Sequence, residues 1–327
     1  MAIDAHAGLV ILLSSHRMRL VFWGLALLIA NLDVLAQGCS DAGFCTMGAM
    51  KPDQPYNKRA QLKLRSFDIS FYRGTTTLTP IVYVANAEFN FTLGNKNSFQ
   101  LKLPYQFVRG KLGETGTISD ISLCFTRNIF SSDRFDINVS VGGKLPSNNS
   151  NLLSAEGLPL PMYYQTSLGT YDFISGVSLI SRQWLLATGI QIPLNRNGNE
   201  FLWKTWEASS EDQDYILKYS QANELMRGTD VMFRVERNFR FARFNSSLGL
   251  LPIWRLNSDE ITNAIGNRVK VASTTGLALS AIATFGFNFN VRSSMRLLLG
   301  HKIIQREKTP DGLTRDFVSS IGYSYRF

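Results

Sequence analysis

The chain predicts an all-β fold: a transmembrane, antiparallel, up-and-down β-barrel of about twelve strands, within a range of about ten to fourteen, after a cleaved signal peptide. Three observations predict it. From residue 60 onward, large apolar residues alternate with small or polar ones, the two-residue period of a sheet with one apolar face. The alternating stretches are long, whereas strands of soluble proteins average only about 5–6 residues and a tilted membrane crossing needs about 9–11. The connections alternate between tight and long, as in barrels with short periplasmic turns and long outer loops.

The last stretch shows the period plainly. Phe317, Ser319, Ile321, Tyr323, Tyr325 and Phe327 fall on one face; Val318, Ser320, Gly322, Ser324 and Arg326 fall on the other. Phe99, Leu101, Leu103, Tyr105 and Phe107 alternate in the same way with Gln100, Lys102, Pro104 and Gln106. Strands are expected at 60–73, 77–93, 98–109, 117–130, 134–145, 169–182, 184–194, 229–241, 243–256, 269–286, 291–305 and 314–327.

Tight turns are expected at 94–97, 131–133, around Gln183, around Ala242 and at 287–290. The opposite set, 110–116, 146–168, 195–228, 257–268 and 306–313, is longer and polar, and only its first member, 74–76, is short. A soluble sandwich would share the alternation but not this segregation of loop lengths. Lipid offers no hydrogen bonds, so a sheet that spans it must close on itself and leave no open edge. Trp184, Trp254, Tyr323 and Tyr325 suit interfacial girdles.

The N-terminus has the pattern of an export signal. Met18-Arg19 is a short basic start, and residues 20–30 (LVFWGLALLIA) form an apolar core of signal-peptide length. Val34-Leu35-Ala36 places cleavage after Ala36, with Met18 as an alternative start. A retained signal anchor, or a lipoprotein attachment at Cys39, are the other readings. Residues 37–59 show no strand pattern and form either a lumenal plug or a periplasmic tail; residues 60–327 form the barrel. Cys39 and Cys45 are a disulfide candidate in an oxidising periplasm, with a metal site as the weaker alternative because no histidine lies near. Cys124 lies within a strand, as a small buried filler.

The net charge is +9 and the mean hydropathy −0.03. Cations are dispersed, with no basic run of five or more, which argues against a nucleic-acid partner. Parity turns Glu88, Lys102, Asp120, Asp136, Asp172, Arg234, Glu236, Arg240, Arg255, Lys270, Arg292, Arg296 and Lys302 toward the lumen. They either line a water-filled path that favours anions or neutralise one another and fill a narrow bore. Arg127 and Arg237 fall on the outward parity, near a rim. The 195–228 connection holds Trp203, Trp206, Tyr215 and Tyr219, and is either a lid over a ligand or solvated surface structure.

Three segments carry a resemblance. The stretch from Leu103-Pro104-Tyr105-Gln106-Phe107-Val108 through Gly110-Lys111-Leu112-Gly113 to Gly116-Thr117-Ile118-Ser119-Asp120-Ile121-Ser122-Leu123 resembles transporter-like outer-membrane barrels. These are grouped with the phenol meta-pathway barrels and, more remotely, the long-chain fatty-acid transporters. Gly169-Thr170-Tyr171-Asp172-Phe173 and Trp184 with Gly189-Ile190-Gln191-Ile192-Pro193 are similar to that family's mid-barrel hairpin, and the hairpin at 300–327 is barrel-like. Ser119 stands where the family often has Gly. The resemblance covers about a third of the exported chain and implies passage of small, often hydrophobic molecules, without assigning substrate residues. A C-terminal aromatic such as Phe327 is the address that barrel-insertion machinery uses.

The expected function is passive diffusion of small molecules, hydrophobic or anionic, across the outer membrane, with outer-membrane lipid and the solute as partners. A docking barrel that conducts nothing is the alternative from a different class. A barrel phospholipase is the third, resting on His301 as the sole histidine after the signal. No zinc-ligand cluster, phosphate-cradling glycine loop or nucleophile elbow occurs, so no metal, cofactor or catalytic residue is expected.

Overall fold

The computed structural model describes Met47, Met50, Lys51 and residues 63–76, 78–207 and 213–327. The barrel wall begins with β1 (Lys63–Thr75), β2 (Ile81–Leu93) and β3 (Asn97–Gly110). Next, β4 (Gly113–Ile118) and β5 (Ile121–Ser131) share one place beside β3. The wall continues through β6 (Phe135–Leu145), β7 (Asp172–Ser181), β8 (Trp184–Pro193), β9 (Asp230–Phe241) and β10 (Phe244–Arg255). A small outer sheet of β11 (Glu260–Thr262) and β12 (Arg268–Lys270) interrupts the order. β13 (Gly276–Asn288), β14 (Ser293–Ile304) and β15 (Phe317–Arg326) complete the wall. β15 then pairs with β1, Phe67 opposite Tyr325 and Phe71 opposite Ile321, closing a twelve-stranded antiparallel barrel.

Alternation puts each strand's two faces in different solvents. Along β7, Asp172, Ile174, Gly176, Ser178 and Ile180 point inward, and Phe173 and Val177 point out. Phe71, Tyr105, Leu248, Phe285 and Ile321 add to a continuous exposed apolar girdle. An apolar surface drawn from every strand is explained by contact with lipid, not water. Trp254 packs edge-on against Phe233 at 5.6 Å near the long-loop rim. At the short-turn rim the outward Arg237 lies 4.8 Å from the Trp184 ring.

The strand expected at 117–130 is broken, and the outer loop expected at 110–116 is instead the tight β3–β4 hairpin. Pro104 stands opposite the break and has no N–H to give the ladder; only its carbonyl is used, accepting from Ser119 N–H at 2.9 Å. Asp120, freed from the ladder, turns inward. The stretch expected at 269–286 begins as β13 only at Gly276, because residues 268–270 join the small outer sheet. Likewise β2, β7 and β15 start three or four residues later than the alternation suggests.

The girdle gives a depth-dependent expectation. Leu248→Arg, mid-strand on β10, should lower stability in vesicles by about 2–4 kcal/mol, and Phe244→Arg at the strand's end by about 0–1. Equilibrium urea unfolding in lipid would show the difference; equal losses would place the bilayer elsewhere.

Candidate functional site

One half of the lumen is filled. Ile174, Leu185, Met232, Leu251 and Ile282 are buried together with Met47 and Met50. Two inward glycines make room for the methionines: a Cβ on Gly176 would come 2.6 Å from Met50 Sδ, and one on Gly142 3.2 Å from Met47 Cε. Arg234 Nη1 donates to the Met50 carbonyl at 3.3 Å and Nε to Glu236 at 2.9 Å. Lys51 forms an ion pair with Glu88 and lies 4.0 Å from Asp68. Met47, Met50 and Lys51 are thus held inside the wall by apolar contact, a main-chain hydrogen bond and charge.

The other half is open. A cavity of about 800 Å³ is bounded by Ser70, Asn86, Gln106, Gly300, Ser320 and Gly322 along the wall of β1, β2, β3, β14 and β15. It continues past Lys102 to Arg240, Arg243, Arg296 and Arg326, and reaches the exposed turn residues Asn290 and Val291. The cavity therefore opens on the short-turn side.

The long-loop mouth is packed shut. Connections 146–171, 194–207 and 213–229 fold inward, burying Leu160, Tyr163, Tyr164, Phe201, Trp206, Ile216 and Tyr219 against the inward Val82, Val84 and Val108, and 305–316 buries Arg306, Thr309 and Asp311. Trp206 Nε1 donates to the Pro159 carbonyl at 2.9 Å, and Gln106 Nε2 to the Gln165 carbonyl at 3.0 Å. Burial pushes the Tyr163 hydroxyl up to about 12, so it stays neutral beside Thr309, 3.0 Å away.

A buried ionic network backs this cap. Arg255 reaches Asp230 at 2.7 Å, Asp259 at 2.9 Å and Asp311 at 2.9 Å, and Arg306 lies 3.5 Å from Asp230. Arg227 pairs with Asp172, which also binds Gln191; Lys302 pairs with Asp316. Lys144 meets Asp120 at 3.2 Å, and Asp120 also accepts from Ser167 Oγ at 2.5 Å and the Leu168 N–H at 3.1 Å. Burial raises the Asp311 carboxyl, but Arg255, Arg306 and Arg227 outweigh it and hold the group below the ordinary carboxylate range. Asp259 goes the other way: burial and the neighbouring Asp311 charge push it up against the pull of Arg255.

The residues that parity turned inward separate into groups. Asp172, Arg255, Lys302, Arg234 and Glu236 sit in buried ion pairs. Glu88, Lys102, Asp120, Arg234, Arg240 and Arg296 border the cavity. Asp136 accepts from Ser131 near the turn end of β6, and Arg292 is exposed in the β13–β14 turn. Lys270 departs from expectation: it lies exposed on β12 outside the barrel, because that segment pairs with β11. The described part of the 195–228 connection wedges Phe201, Trp206 and Tyr219 into the mouth, where apolar surface leaves water, while Trp203 stays exposed.

Parity did not single out Lys144, Arg227, Asp230, Asp259, Asp311 or Asp316. Their signal was indirect: Asp172, Arg255 and Lys302 all fall at outer strand ends, where each charge needs an opposite one supplied by a loop. Cys39 and Cys45 lie outside the described residues, as do the signal segment and most of 37–59; Cys124 is buried with a free thiol. His301 faces outward between Ala281 and Phe317, and among the described residues it makes no hydrogen bond to a hydroxyl.

No protein-family model matches the chain, and no curated protein does. Among solved structures it is similar to an outer membrane channel from Pseudomonas putida F1, at 12% identity and a TM-score of 0.58, over 84% of this chain and 99% of that one. Looser likenesses join it to the NanC porin (8% identity, TM-score 0.45, 82% and 100% covered) and the CymD monoaromatic hydrocarbon channel (9%, 0.40, 90% and 99%). The fold is that of bacterial outer-membrane barrels. With its apolar girdle and its short-turn and long-loop ends, the chain resides in that membrane.

Proposed function

We propose that the barrel passes small molecules, hydrophobic or anionic, by passive diffusion, and that the described conformation is its closed state. The observation that carries this reading is the cavity of about 800 Å³, lined by polar, charged and apolar residues together and open on the short-turn side. A barrel built only as an anchor would gain stability by filling that space, since interiors otherwise pack to crystal-like density. The likeness of the 103–123 stretch to phenol meta-pathway barrels supports small, partly apolar solutes.

Met47, Met50 and Lys51 act in this reading as the seated part of an inner plug, and the folded loops act as the outer cap. Exposed Phe327 is the address for the insertion machinery. Single-channel recording and liposome swelling with the full exported chain test the function. Discrete openings and solute entry are expected. A barrel that stays silent at all voltages and passes no solute would favour the docking role, which the packed outer mouth suggests as the second reading.

A further inference from the structure

We propose that the lipid face of β1, β2 and β3 is a binding site for a bisphosphorylated glycolipid of the outer leaflet, with one acyl chain lying along β2. That face is lowest where Ala85 and Ala87 occupy successive outward positions of β2. Ala85 lies between Phe71 of β1 and Tyr105 of β3, and Ala87 between Ile69 and Leu103. Phe71 is 61% exposed and Tyr105 52%, and each is far larger than the methyl group between them. The result is a trough floored by methyls and walled by rings and branched chains. Phe89 ends it on the short-turn side, its ring 4.9 Å from that of Phe67. Tyr83 ends it on the long-loop side, its ring 6.4 Å from that of Phe107. The distance from Tyr83 to Phe89 along the strand is roughly 20 Å at about 3.3 Å per residue, the scale of an acyl chain.

The charge at the long-loop end commits the trough to a phosphorylated lipid. Arg73 faces lipid opposite Tyr83, and Arg109 faces lipid opposite Ile81, one row farther out. Both are exposed. A cation on the lipid face is tolerated near the interface and penalised at the midplane, so these two mark headgroup level above the alanines. Arg109 Nε meets Glu114 at 2.8 Å, but both side chains stay largely in solvent, and such a pair is weak beside a guanidinium–phosphate fork. Lys111 and Lys218, also exposed, lie 4.8 Å and 6.0 Å from the Tyr215 ring and extend the positive surface toward the loops. The long-loop side is the cell-surface side, where lipid A carries two phosphates on a sugar pair above its acyl chains. A basic rim over an apolar trough matches both parts of that molecule. A second trough serves as an internal comparison. Ala281 and Ala283 of β13 face lipid between Leu250 and His301 and between Leu248 and Leu299. Toward the long loops the next outward positions of β13 are Leu279 and Leu277, so that strand continues apolar instead of meeting an arginine rim.

The inference rests on residence in the outer membrane and not on conduction. Native mass spectrometry of the full exported barrel in detergent, titrated with purified lipid A, tests it. Lipid A should bind at least about tenfold tighter than its dephosphorylated form or phosphatidylglycerol. Arg73→Gln with Arg109→Gln should lose roughly tenfold, and Ala85→Phe, which fills the trough, a comparable amount. Ala283→Phe should change nothing. A heat-dependent gel shift verifies that each variant is folded. Equal binding of lipid A and its dephosphorylated form, or tighter binding of phosphatidylglycerol, would overturn the site. So would equal losses from Ala85→Phe and Ala283→Phe, which would mark a general lipid contact.

Discussion

Arg255→Met should unseal the outer mouth. The guanidinium is fully buried and holds Asp230 from the wall, Asp259 from the β10–β11 connection and Asp311 from the 305–316 loop. Removing it leaves three carboxylates facing one another with Arg306 and Arg227 as the nearby cations. Breaking a buried pair in this way costs about 3–5 kcal/mol, enough to move a closed-to-open equilibrium roughly a hundredfold or more. The expected readout is longer and more frequent channel openings, with the 305–316 loop becoming accessible to added protease on intact cells. Unchanged openings and an inaccessible loop would show that the network does not hold the cap.

The wild-type cap has a pH dependence whose sign follows from the same residues. Asp311 is depressed, so its contribution is full above the ordinary carboxylate value of ~3.9 and is lost as pH falls through its lower folded value. Asp259 is raised, so its contribution is full below the ordinary value and weakens as pH rises through the raised one. Acid opening is therefore expected only at low pH, with a milder loosening on the alkaline side of the carboxylate range.

Met47→Asp with Met50→Asp should expel the inner segment while leaving the wall intact. Both methionines are buried among Ile174, Leu185, Met232 and Leu251, where the cation at hand, Arg234, is already paired with Glu236. An unpaired charge there is penalised by several kcal/mol, more than the single Arg234 bond and the Lys51 pair return. A larger conductance and faster proteolytic trimming from the periplasmic side are expected, with the heat-dependent gel shift retained. If conductance and trimming match the wild type, the segment is not a plug.

The wall was legible because lipid enforces one rule on every strand. Phe71, Leu248 and Ile321 had to face out, and their neighbours in. What defeated parity was a departure from the ladder. Pro104 removed a donor and split one expected strand into β4 and β5, and Lys270 left the wall for a local hairpin. The mouth was less legible, since Arg227, Asp259, Asp311 and Asp316 come from connections without periodicity. The seat for Met47 and Met50 could not be foreseen from 37–59 alone. It is written in Gly142 and Gly176, which look like ordinary small inward residues until something occupies the space above them.

The central claim is that a closed sheet presents its apolar face to lipid. Cell fractionation followed by electrophoresis with and without heating tests it most directly. The account predicts a detergent-extracted outer-membrane protein that runs fast unheated and slows after boiling, as the hydrogen-bonded ring opens. A chain released from the periplasm without detergent, migrating identically in both states, would contradict it.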